Sequence, residues 1–189
     1  MNRLTLLLSF LPILAFGQIK NVTLLDHWSD ITLVTNSSNV RYSGCFSFEY
    51  NGNEYGVIGS TEGTHVFEIT SGNKLNFIDS IQGSYVSSQA ITREFERYGN
   101  LLYAIGDEGN GSLQIIDLSD LPNSITLTEE IQDERVGRAH NIFIDSSRAL
   151  MYLCLVTPIV NEVETSVVPL RVFSLDNPLS PELVFSGFG

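Results

Sequence analysis

The chain has 189 residues and a formal net charge of −12, from 10 basic and 22 acidic side chains. That excess of negative charge argues against nucleic acid or an anionic membrane surface as partner. Apolar residues make up 43% of the chain, enough to bury a core, and it has only 2 cysteines, too few for a disulfide-stapled scaffold.

Residues 1–17 read as a cleaved secretory signal. Met1-Asn2-Arg3 gives a short positive start, and Leu4 to Phe16 is apolar apart from Thr5, Ser9 and Pro12. Ala15 and Gly17 put small residues where a signal peptidase reads. The run is too short and wrongly flanked for a spanning helix. Gln18 is then the first mature residue. No cysteine stands there, so a lipoprotein is not expected, and no later segment is long and apolar enough to span a membrane. The expected location is outside the cell or at its surface, with no membrane insertion after cleavage. Cys45 and Cys154 lie inside apolar runs on different predicted strands, and we expect two buried free thiols rather than a bridge.

Helical periodicity is nearly absent. Alternating and β-branched runs between Gly, Asn, Asp and Ser breaks predict an all-β protein. Asn21 to Trp28 reads as a first strand and Thr35 to Asn39 as a polar loop. Cys45 to Tyr50 and Glu54 to Gly59 form a hairpin about the Asn51-Gly52-Asn53 turn. Thr64 to Thr70 and Leu75 to Ile81 complete a set of four. The order then repeats as Ala90 to Arg97, Leu101 to Ile105, Ser112 to Leu118 and Ser124 to Ile131. A third pass runs His140 to Asp145, Leu150 to Val156, Val168 to Leu175 and Glu182 to Phe185.

Two markers set the register. Tyr55, Tyr103 and Tyr152 open the second strand of each pass, 48 and 49 residues apart. Phe67, Ile116 and Phe173 close the third, 49 and 57 apart, the excess falling in the loop Thr157 to Ser166. Four strands per repeat at this period predict β-propeller-like blades over about 43–82, 88–132 and 139–187 within a domain spanning 18–189. Propellers close with about four to eight blades. Three leave two apolar faces open, so we expect an incomplete ring, either a truncated chain or one that pairs with other copies. Asn21 to Trp28 would then be a closing strand for a further blade.

Leu113-Gln114-Ile115-Ile116-Asp117, followed by Leu118-Ser119, resembles the core of LVIVD-repeat propellers. Val66 to Thr70 and Val172 to Asp176 echo it. Arg93-Glu94, Tyr98-Gly99-Asn100, Asp120-Leu121-Pro122 and Ala139-His140-Asn141 follow in an order similar to the secreted choice-of-anchor B family. The resemblance covers roughly 21–189 and is most specific over 88–145. It implies a propeller outside the cell or at its surface, with no enzymatic activity implied. Thr92 and Cys45 stand near positions where that family usually places an aromatic residue.

Three groups of residues are candidates for chemistry. Asp107-Glu108-Gly109-Asn110-Gly111 concentrates oxygens about a tight turn, so Asp107, Glu108 and Asn110 are the candidate metal ligands and calcium the candidate ion. EF-hand spacing is absent, and an exposed turn is the plainer alternative. Glu62, and Glu162 with Glu164, occupy the matching loops of the other repeats. His140 and Asn141 open a strand that in propellers lines the central channel, near its mouth. Arg93 and Glu94 stand on the matching strand one repeat earlier, and at most one of the two faces the channel. An internal ion pair is the alternative for them. No nucleophile, zinc or phosphate-loop motif occurs, Gly59-Ser60-Thr61-Glu62-Gly63 included. The expected function is a non-catalytic module binding a protein or glycan at the cell surface. The second reading is a propeller enzyme, a glycan hydrolase or lyase, with carboxylates or histidines converging at the channel mouth.

Overall fold

The structure, a computed structural model, describes residues 22–187. Twelve strands form three four-stranded antiparallel sheets, and two short strands form a separate hairpin. The first sheet is β1 (Tyr42–Tyr50), β2 (Asn53–Ser60), β3 (Gly63–Ile69) and β4 (Leu75–Gln82). The second is β5 (Arg93–Tyr98), β6 (Leu101–Gly106), β7 (Leu113–Asp117) and β8 (Thr126–Ile131). The third joins β9 (Asn141–Asp145) and β10 (Leu150–Val156) to β13 (Val168–Ser174) and β14 (Glu182–Ser186). Within the loop between β10 and β13, β11 (Ile159–Val160) pairs with β12 (Val163–Glu164). Each sheet is a simple meander in chain order. The fold is therefore all-β with propeller-like blades, and the described residues do not close a ring.

The first strands β1, β5 and β9 are neighbours, which makes them the inner edge of the stack. Two apolar layers hold the blades together. Between the first and second blades, Val57 and Val66 meet Phe95, Leu102, Ala104 and Ile116. Between the second and third, Tyr103, Ile105 and Ile115 meet Ile142, Ile144, Met151, Leu153 and Phe173. Each such side chain fully withdrawn from water contributes about 1.5–3 kcal/mol, so the blades are held chiefly by these two layers.

Bulges fix the equivalence between blades. The fourth-strand pairing slips between Val66 and Phe67, between Ile115 and Ile116, and between Val172 and Phe173. Their second-strand partners are Val57, Tyr103 and Tyr152. The tyrosine register expected from sequence therefore fails in the first blade. Tyr55 sits two residues nearer the β1–β2 hairpin, because these strands are longer than their counterparts. The third-strand register, Phe67 with Ile116 and Phe173, is the one the bulges repeat.

Two further expectations are corrected. Val22–Trp28 is not a strand, and it lies along the first blade without ladder pairing. It is tied there by the Leu75 N–H donating to Asp26 Oδ2 at 3.1 Å, and by Trp28 packing among Tyr42, His65, Phe67 and Phe77. Asn21 and the proposed signal over 1–17 lie outside the described residues. Cys45 and Cys154 are free, as expected, but neither is buried: Cys45 is exposed and Cys154 half-buried. Both stand on outward blade faces that nothing in the described chain covers fully.

Candidate functional site

The loops that follow each second and fourth strand share one rim. There the Gly-rich loop 107–112 of the second blade meets the connection 132–140 into the third. The backbone sets this meeting. Ala139 N–H donates to Gly106 O at 3.0 Å, His140 N–H to Cys154 O at 3.0 Å, and Thr157 N–H to Arg138 O at 2.8 Å. Glycine is needed twice in the loop. A Cβ on Gly111 would stand 2.9 Å from the Arg138 Cβ, and Gly109, at φ +53°, lies against the Tyr85 ring.

Four side chains converge there. His140 Nδ1 lies 2.7 Å from Asp107 Oδ2. Arg138 Nη1 donates to Asp107 Oδ1 at 3.3 Å, while Nε and Nη2 donate to the two oxygens of Glu164 at 3.0 and 3.1 Å. Arg138 is thus a fork clamping two carboxylates from different loops. Its hydrogen bonds to Glu164 hold the Glu164 carboxyl below the ordinary range and raise the guanidinium. The His140 side chain is 56% exposed, so the network presents an imidazole backed by a carboxylate to solvent.

The other sequence candidates are placed differently. Arg93 is only 5% exposed and lies between the first two blades. Its Nε donates to Ser60 O at 2.9 Å and its Nη2 to Tyr85 O at 3.0 Å. Burial lowers its pKa, opposed by the charges of Glu108 and Glu130. Glu94 stands at the inner edge, with its carboxyl beside Gly44, and Arg93 and Glu94 form no ion pair. Asn141 is exposed and opens β9 opposite Cys154. Asp107 is committed to Arg138 and His140, Glu108 Oε2 accepts the Thr92 N–H at 3.1 Å, and the Asn110 carbonyl accepts from Gln132 at 2.7 Å. Of the three, only Asp107 has both carboxylate oxygens engaged by protein donors. Among the described residues no group of three or more His, Cys, Asp or Glu side chains is arranged to hold a metal ion.

Sequence reasoning missed Arg138, the residue that joins the network. Its signal was its position two residues before His140, which points both the same way from an extended connection. Also missed was a buried contact in the first blade, Ser60 Oγ to His65 Nε2 at 2.7 Å. Ser60 is fully buried and also receives the N–H groups of Glu62 and Gly63. It pins the β2–β3 turn and offers no accessible nucleophile. No family model, curated protein or solved structure matches this chain.

Proposed function

We propose that the chain is a secreted or cell-surface propeller-like module, of the LVIVD-repeat, choice-of-anchor B kind that its sequence resembles. In this reading it binds a protein or glycan through the rim at Asp107, Arg138, His140 and Glu164. The observation that carries the reading is the convergence of three loops from two blades on one mixed-charge patch, set on strands that cannot shift independently. Loops on a repeated scaffold are where binding residues concentrate. An exposed imidazole, a cation and two carboxylates supply both donors and acceptors for sugar hydroxyls or a polar peptide.

The same geometry weighs against the glycan hydrolase reading. A general acid of that class needs a carboxyl whose pKa is raised. At the rim, Glu164 is shifted the other way by its hydrogen bonds to Arg138.

The test is a fluorescently labelled chain applied to an array of oligosaccharides and extracellular polypeptides, beside an Asp107→Asn/His140→Ala variant. The expected result is a defined set of hits lost in the variant. Hits equal in both would remove the rim as the binding surface. Cleavage of an array compound by the parent alone would establish the enzyme reading.

A further inference from the structure

Residues 22–34 form a strap along the first blade, without ladder pairing. Trp28 packs on His65 and on Phe67, each at 5.0 Å between ring centroids. The Asp30 N–H donates to the Tyr42 hydroxyl at 2.6 Å. Thr61 Oγ1 donates to Val34 O at 2.7 Å, and Leu33 is buried. Trp28 walls an apolar cavity of about 340 Å³ that Val57, Ile58 and Phe67 also line.

Two of these attachments rest on one buried pair. His65 lies under Trp28, and Thr61 belongs to the turn that Ser60 pins. Ser60 Oγ accepts the N–H groups of Glu62 and Gly63 at 3.1 and 3.2 Å, which takes up both of its lone pairs. Its own hydrogen therefore goes to His65 Nε2, at 2.7 Å. A proton added to Nε2 removes that acceptor and presents a third donor to an oxygen that is already full. Ser60 cannot turn away easily, because it is fully buried and its carbonyl accepts from Arg93 Nε at 2.9 Å. Either the imidazolium moves against Trp28 or the turn carrying Thr61 gives way. In both cases the strap loses an attachment.

The surroundings fix the direction of the effect. Burial lowers the His65 pKa below 6.5, and Arg93 on β5 adds to this, while Glu62 in the turn and Asp30 in the strap oppose it. From β4 the ring meets Phe77 and Ser80, which do not titrate. With the strap lifted, the ring is hydrated and regains its ordinary proton affinity, so protonation favours the open form. The strap's own carboxylates are not the trigger. The Leu75 N–H holds Asp26 below the ordinary range and the Thr32 hydroxyl does the same for Asp30, so both stay charged in this window.

We propose that Ser60 and His65 form an acid-sensitive latch for residues 22–34. The strap lies closed on the first blade while His65 is neutral. It lifts when His65 takes a proton, and uncovers the apolar surface about Phe67 and Phe77.

The experiment follows the full chain from pH 7.5 to pH 5 by three signals. Trp28 is the only tryptophan, so acrylamide quenching reports its exposure directly. Amide protection factors over 22–34 report the strap, and nuclear magnetic resonance follows His65, one of 3 histidines. The expected result is a rise in Trp28 quenching and a several-fold fall in protection over 22–34, at the pH where His65 titrates. Protection in β6, β7 and β10 should persist. In His65→Gln, whose amide stays neutral, the strap signals should not respond to pH. In His27→Gln, beside Trp28 and exposed, they should follow the parent. A His65 that titrates without any change over 22–34 would overturn the proposal, and this comparison needs only the parent. So would a pH response retained in His65→Gln or lost in His27→Gln. Loss of protection in β6, β7 and β10 along with the strap would overturn it too, because the blades would then be unfolding together.

Discussion

Ser60 donates its hydroxyl hydrogen to His65 Nε2 across 2.7 Å, because Ser60 Oγ already accepts two backbone N–H groups. His65 is thereby held as the neutral tautomer with its proton on Nδ1, and burial lowers its pKa below the ordinary value of 6.5. The folded state then binds fewer protons than the unfolded chain between that lowered value and 6.5. Stability must fall as pH drops through this window. Thermal melts from pH 7.5 downward should show the decline before the carboxylates titrate. In His65→Gln the slope above pH 5 should disappear, at some loss of stability throughout.

Arg93 should matter to folding more than to binding. Its guanidinium satisfies two carbonyls in a layer that water does not reach. Arg93→Met keeps most of the side-chain volume and abandons both acceptors, for an expected loss of roughly 2–4 kcal/mol in urea unfolding. Gly83→Ala should act through the same group, because its Cβ would stand within contact range of the guanidinium and force it from its place. A loss under about 0.5 kcal/mol in both variants would mean that Arg93 does not join the blades.

Arg138 should act locally. Its partners Asp107 and Glu164 are 24% and 43% exposed, and pairs so near water contribute under about 1 kcal/mol to global stability. Arg138→Ala should leave the midpoint of unfolding nearly unchanged. It should release the β11–β12 hairpin, seen as several-fold faster amide exchange over 159–165, and let the Glu164 pKa rise toward the ordinary glutamate range. A change in global stability without faster local exchange would contradict this role.

The strands were legible because alternation and turn chemistry agree with the fold everywhere in the repeats. β1 to β4, for example, begin within three residues of the positions expected from sequence. The segment Val22–Trp28 was not. Its β-branched and apolar residues resemble a strand, but a strand also needs a neighbour's edge, and that information is nonlocal. Cys45 and Cys154 were assigned to the core for a similar reason. Their runs are apolar, and only the blade count decides whether an apolar face is covered. At the rim, Asp107 and His140 were legible as residue types in a loop and at a strand start. The clamp was not, because Glu164 reaches Arg138 from an insertion whose hairpin folds back across the rim, 26 positions along the chain.

The rim of Asp107, Arg138, His140 and Glu164 is the surface proposed to bind. The most direct measurement is amide hydrogen exchange of the chain with and without its tightest array ligand. Protection is expected at 107–111, 138–141 and 161–165. Protection confined to the opposite rim, at the hairpin ends 51–53, 98–100 and 146–149, would contradict it.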